Sequence, residues 1–395
     1  METIYVNEGM VYKSYYTLMF LAVGSLYPLL SVYLSNVIGL SPAEIGMIMS
    51  LGPVVMIVFQ PIWGFQADKT GQPKMLLQLT MVMTAIMGIG YLLFDSYLIL
   101  FLVAILVAVF QSALIPLSDS MALSYAGRSG TPYGSIRMYG SLGFALAVFF
   151  MGRLAETTIG LPVIVYAFSI FLLFGAAFLW FIPKSDVQKK ADLSLKKAVV
   201  GLSNNKPFLL LLVITFCFFG PNLANNVYFS LFVEASGATY AGIGIVFLLA
   251  VISEIPFIRI ASLVANKIGV MGCISLASGI ALIRWIIYLN EPSLAVVYGT
   301  TILQGISIGL FIPTALQYVK EITPPTMVAS AITIYSSIGN GLGNWFHTLV
   351  GGQIAERFSI YHVYTWFAII TALGLVTTIY LMRKPVESYV EQQAS

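Results

Sequence analysis

The chain has 395 residues, 59% of them hydrophobic and 9% charged, with a formal net charge of +3; soluble domains carry about a quarter charged residues. So few charges exclude a water-covered surface, and the apolar stretches reach the roughly 20 residues that cross a hydrocarbon core of about 30 Å. The slight positive excess is a topology signal, with no nucleic-acid partner implied.

The first apolar run, 15–38, is too long for the apolar part of a signal peptide and no small-residue cleavage site follows it, so it reads as a retained span. Further runs recur at about 43–66, 75–94, 98–124, 134–157, 161–182, 207–234, 240–265, 268–289, 293–320, 325–355 and 361–382, which makes twelve. Backbone groups in lipid are satisfied within their own segment, so unbroken runs of this length are helices; a β-barrel shows alternation over about ten residues instead. The expected fold class is an all-α membrane protein of twelve transmembrane helices.

Placing the N-terminus, the even-numbered loops and the C-terminus in the cytoplasm puts fourteen basic residues there, from Lys13, Lys69 and Lys74 through Arg128 and Lys320 to Arg383 and Lys384, and leaves Arg153 and Arg357 outside. Both termini are thus expected in the cytoplasm. The long hydrophilic segment from Pro183 to Lys206 holds six lysines and two aspartates. It divides the chain into an N-terminal six-helix bundle (1–182), a cytoplasmic linker (183–206) and a C-terminal six-helix bundle (207–395). A basic linker between bundles is the plainer reading of those lysines, although anionic lipid also suits them.

Gly64, Asp68, Lys69 and Gly71, followed by Lys74, form a candidate gating loop after the second span, with glycine for the turn. Ser262, Asn266, Lys267 and Gly269 echo it 198 residues later, after the eighth span. Repetition at half the chain length is what two related bundles leave behind. In this six-plus-six setting the spacing resembles the G-x-x-x-D-[RK]-x-G signature of the major facilitator superfamily, which implies two pseudo-symmetric bundles and transport by alternating access. Asp119 after Pro116, and Arg137, Gly140, Gly143 and Phe144 on the fifth span, resemble more narrowly the branch that contains lactose permease and the phenylpropionate-type transporters. There an acid on the fourth helix and an arginine on the fifth, spaced as Asp119 and Arg137 are, grip the sugar while an aromatic at the place of Phe144 stacks on it. The spacing from Asn266 and Gly269 to Arg284 also follows the family's ninth helix. Gln304 and Ser307 stand where that permease has its proton-coupling His and Glu, so that route is lacking. The fifth span also lacks the Gly-Pro-Gly-Gly cluster of the superfamily's drug exporters.

Among the ionisable groups within spans five stand out, Asp119, Arg137, Glu254, Arg259 and Arg284, and each costs about 2.5–3.5 kcal/mol on insertion scales. Asp119 and Arg137 fall at similar depth on neighbouring helices, where a salt bridge is easy; the pair is either a structural clamp or a substrate site with Arg137 donating and Asp119 accepting. Glu254 is near the midpoint of the eighth span, where an ionised acid is costly, as suits a proton carrier. Arg284 is its expected partner, in coupling or in a permanent ion pair, since Arg259 projects about 140° away round the helix. Asn222, Asn225 and Asn226 on the seventh span, Gln304 on the tenth, and Asn340 and Asn344 on the eleventh offer neutral hydrogen-bonding groups for a polar substrate. Gly339, Gly341 and Gly343 permit close helix packing. His347 reads equally as a proton relay or a satisfied packing residue, and His362 as interfacial. Prolines within spans, such as Pro28, Pro116 and Pro256, read as tolerated bends.

The expected function is proton-coupled symport of a small polar solute, a sugar, nucleoside or aromatic acid, across the cytoplasmic membrane. Efflux of sugars or drugs is the alternative within the class. A membrane-embedded enzyme is the rival outside it, disfavoured because no nucleophile–base set or phosphate loop is present. No cofactor and no metal site are expected: Cys217 and Cys273 lie in apolar runs without neighbouring ligands. The partners are the solute, protons and membrane lipid, and the chain is expected to be a monomer.

Overall fold

The computed structural model describes residues 8–182, 202–324 and 327–383. Lys184, Lys189, Lys190, Lys196, Lys197 and Lys384, and with them most of the expected linker, lie outside the described residues.

Among the described residues twelve helical segments follow one another, eleven of them long and apolar enough to cross a membrane and one broken into pieces, in agreement with the apolar runs. They are α1 (Glu8–Ile38), α2 (Pro42–Thr70), α3 (Pro73–Leu93), α4 (Tyr97–Ser129), α5 (Tyr133–Leu154), α6 (Val163–Phe181), α7 (Lys206–Ala235), α8 (Tyr240–Ile268), α9 (Val270–Leu289) and α10 (Leu294–Ile322). Then come α11, in the pieces Val328–Ser336, Ser337–Gly343 and Asn344–Arg357, and α12 (Ile360–Met382). The middle piece of α11 is π-helical, a departure from the continuous helix expected. Its glycines explain the departure: Gly339 and Gly343 bring the backbone against Phe219 and Gly220 of α7, leaving no room for side chains. The helices turn Leu98, Ile170, Leu263, Ile369 and Val376 outward, a surface that only hydrocarbon tolerates as solvent. This is a multi-pass membrane protein.

Helix ends are fixed by specific polar contacts. Ser41 and Glu44 form a reciprocal capping box at the start of α2, satisfying two otherwise orphan amides. The Asn205 carbonyl oxygen accepts from the Phe208 amide at 3.0 Å while its amide nitrogen donates to the Ile322 carbonyl at 2.7 Å. One side chain thus starts α7 and ties it to the end of α10. Lys74, at the start of α3, donates to the carbonyls of Trp180 and Ile182 at the end of α6, where a cation meets the negative end of the helix dipole.

The chain forms two compact units, one of residues 1–190 with 238–248 and the other of residues 191–237 with 249–395. In the first, α1 packs on α5 and α6, and α3 on α6; in the second, α7 packs on α11 and α12, and α9 on α12. The same adjacency therefore recurs with an offset of six helices. The paired loops repeat too: Gly71 ends α2 with φ +63° and Gly269 follows α8 with φ +80°. Gly71 is in the left-handed helical conformation and Gly269 is extended at positive φ, both of which glycine adopts without strain. The structure corrects the extent of the first loop. Asp68 and Lys69 lie in the last turn of α2, Gly64 lies well inside that helix, and only Gly71 makes the turn.

Within the first unit, the start of α8 is bound to the end of α5. A Cβ on Gly244 would meet the Val148 carbonyl at 2.7 Å, so the backbones touch. The Glu156 carboxylate accepts from the Ala241 amide at 2.9 Å. Hydrogen bonds from Thr239 and Ala241 hold the Glu156 carboxyl below its usual range. A depressed carboxyl stabilises the fold above its unfolded pKa, about 4.3, and loses that contribution as pH falls through the lower folded value. Thermal unfolding in detergent should therefore fall away below about pH 4 in the parent chain. In Glu156→Gln that acid limb should be shallower.

Candidate functional site

Each unit holds a cluster of polar groups within its spans. In the first unit the cluster depends on the closeness of α1 and α5. A Cβ at Gly143 would lie 2.5 Å from the Thr17 carbonyl, and one at Gly24 would lie 2.7 Å from the Phe144 carbonyl. This glycine contact brings the aromatic face of α1 against α4 and α5. The Tyr16 hydroxyl donates to Asp119 Oδ1 at 2.7 Å, and the hydroxyls of Tyr15 and Tyr133 neighbour the same carboxylate. The Arg137 guanidinium lies 4.4 Å from the centre of the Phe20 ring. Gly140 leaves the space for both, since a Cβ there would stand 2.7 Å from Phe20 and 3.1 Å from the guanidinium.

The expected salt bridge between Asp119 and Arg137 is absent. Tyrosine takes the acid and phenylalanine takes the arginine. Each charge is thus satisfied by a residue of α1, Tyr16 for the acid and Phe20 for the arginine. Tyr16 and Phe20 were not singled out from the sequence, being two among 48 Phe and Tyr residues. The ring under Arg137 is therefore that of Phe20, while Phe144 lies half-buried on α5 with its carbonyl against Gly24.

In the second unit Arg284 on α9 is fully buried. It donates to Gln304 Oε1 at 2.6 Å and to Asn222 Oδ1 at 2.7 Å, and its guanidinium stacks 4.0 Å from the Trp285 ring. The Asn222 amide nitrogen donates to the Phe218 carbonyl at 2.7 Å, which aims its oxygen at the arginine. The expected pairing of Arg284 with Glu254 is thus not formed: two neutral amide oxygens and an aromatic face stand in for a counter-charge. Asn225, one turn further along α7, is buried with neither amide atom bonded among the described residues. Asn226 and Asn340 are exposed, and Asn344 accepts from Thr348 at 3.2 Å. The structure therefore brings Asn222 and Gln304 together and leaves the other amides apart from them.

Glu254 sits at the midpoint of α8, half-buried, with no ion pair among the described residues. Gly305 and Gly309 of α10 place their backbone directly against Ser253 and Glu254; a Cβ on Gly309 would lie 2.8 Å from the Glu254 carbonyl. This G-x-x-x-G spacing was visible in the sequence as a helix-packing signal and went unread. Arg259 is exposed on the same helix. His347 is buried, with Nδ1 accepting from the Trp366 indole at 3.1 Å and Nε2 placed 3.3 Å from the Phe216 carbonyl. Those partners fix a neutral ring with its proton on Nε2, so the packing role is the one the geometry supports. Among the described residues no cluster of His, Cys, Asp or Glu has metal-holding geometry.

Loss of one acceptor from a buried charge costs about 1.5–3 kcal/mol. Gln304→Leu should accordingly lower the thermal unfolding temperature of the purified protein, whereas Gln304→Glu, which supplies a counter-charge, should retain or raise it.

Residues 10–366 match the profile of the MFS_1 like family. The uncharacterized transporter YwbF of Bacillus subtilis (strain 168) is 47% identical over 94% of this chain and 92% of its own. The maltose permease of Geobacillus stearothermophilus is 44% identical over 95% of this chain and 94% of its own. The crystal structure of nucleoside transporter NupG superposes with a TM-score of 0.87 at 17% identity, covering 96% of this chain and all of that one.

Proposed function

Since the chain belongs to the MFS_1 like family of major facilitator transporters, we propose that it carries a sugar into the cell across the cytoplasmic membrane by proton-coupled symport. The observation that carries the sugar reading is the separation of Asp119 from Arg137. An acid held by a tyrosine hydroxyl and a guanidinium held by a ring do not neutralise each other. Asp119 keeps acceptor capacity for sugar hydroxyls, and Arg137 keeps a planar fork of donors. Phe20 and Phe144 add apolar faces of the kind that sugar rings stack on. The similarity to a maltose permease over nearly the whole chain supports the same substrate class. The asymmetry of basic residues favours cytoplasmic termini.

Proton coupling is assigned to Glu254. An ionised acid at the middle of a span is costly without a partner, and the nearest expected cation, Arg284, is already committed to Asn222 and Gln304. A carboxyl in that position is favoured in its neutral form, so a change in its protonation can bias the two states of an alternating-access cycle.

Proteoliposomes containing the purified protein should accumulate labelled maltose when an inward proton gradient is imposed. Accumulation of a nucleoside or an aromatic acid in place of sugars would replace the substrate class. Cells that lose preloaded sugar through the protein would establish export. Asp119→Asn and Arg137→Gln should each lower uptake at least tenfold, about the value of one charge-assisted hydrogen bond. Glu254→Gln should abolish gradient-driven accumulation and spare counterflow. Unchanged uphill uptake in that variant would remove Glu254 from the coupling mechanism.

A further inference from the structure

Beside the first polar cluster but lined by other residues, the first unit contains a groove of about 620 Å³, formed by residues 9–18 of α1, the end of α4, the α4–α5 connection, α5 and the last turn of α6. Its lining carries a single charge, the Lys13 ammonium. That group lies 5.3 Å from the centre of the Tyr139 ring, and among the described residues it has no carboxylate partner. Nearby Glu8 is paired with Arg128 at 3.3 Å.

Around Lys13 the groove presents the hydroxyl-bearing side chains of Ser14, Thr131 and Tyr139, with Phe178 at one flank. The Thr17 hydroxyl is turned back on the Lys13 carbonyl at 2.9 Å and is not available. Beyond Phe178, Trp180 and Phe181 end α6 and are 78% and 60% exposed. Aromatic residues at a helix end mark the level of the lipid headgroups. Lys13 shares the groove with Phe178, whose ring is in contact with that of Phe181, so its ammonium is placed near the same level. Cation, hydroxyls and apolar flank are arranged from the interface inward.

We propose that this groove binds one anionic phospholipid, its phosphate on Lys13, its glycerol region against the hydroxyls and an acyl chain along Phe178. The apolar flank distinguishes a lipid from a free phosphate, which has nothing to place there. The chain's own segment 183–201, which follows α6, is a poor occupant on charge, since it carries five lysines against two aspartates. A single lysine near a membrane surface is worth about 1 kcal/mol toward an anionic lipid, roughly fivefold in affinity.

The full chain, delipidated in detergent, can be titrated with phosphatidylglycerol or phosphatidylcholine of matched acyl chains and followed by native mass spectrometry. Phosphatidylglycerol should bind first and at lower concentration. Lys13→Gln should raise its midpoint about fivefold, Lys13→Arg should preserve it, and Thr131→Lys should lower it. Equal binding of the two lipids, or midpoints that none of these variants moves, would overturn the proposal. Displacement of the lipid by millimolar inorganic phosphate would assign the groove to a free anion instead. A photo-crosslinking residue in place of Tyr139 should be recovered joined to lipid; recovery on a peptide from 183–201 would show the groove to be filled by the chain itself.

Discussion

In hydrocarbon a polar side chain finds its partners within the protein or goes without, and that constraint organises both units. Its clearest expression is Arg284. Among the described residues no acid meets this fully buried guanidinium; two amide oxygens and the face of Trp285 receive it. Such an arrangement keeps a positive charge inside the span while leaving it uncommitted to any single anion. Asp119 is treated in a complementary way, satisfied by a tyrosine hydroxyl instead of an arginine.

Glycine supplies the geometry that makes these partnerships possible. Gly140 and Gly143 let α5 approach α1 until Tyr16 reaches Asp119 and Phe20 slides beneath Arg137. Gly305 and Gly309 let α10 reach the backbone of α8 at Glu254, next to the residue, Gln304, that holds Arg284. Gly220 and Gly343 bring α7 and α11 together beside His347. In a bilayer, where apolar burial gives little net drive between helices, such close contacts gain dispersion energy and set the rotation of each helix. Rotation in turn decides which polar group meets which.

The same dependence explains what the sequence concealed. Asp119, Arg137, Glu254 and Arg284 were conspicuous because charge in a span is rare. Their partners were not, because tyrosine, phenylalanine, asparagine and glutamine are ordinary residues whose role depends on the face they occupy. Similar depth made Asp119 and Arg137 look like a pair, but depth says nothing of the α1 residues, Tyr16 and Phe20, that take each of them. Family spacing made Glu254 and Arg284 look like a pair, while the amides of Asn222 and Gln304 were nearer to hand. The π-helical piece of α11 was equally hidden: glycines announce a close approach, but the register in which the helix accommodates it is a property of the neighbour.

By itself the sequence determined the solvent, the number of spans, the repeat at half the chain length and the small set of residues whose burial needs a functional reason. Hydropathy and the cost of charge in lipid are local quantities, so a linear reading suffices for them. Tertiary structure alone decided who satisfies whom. Hydrogen bonds act over about 3 Å, and the positions that fix such distances belong to the packing of several helices, each rotated by contacts far away in the chain.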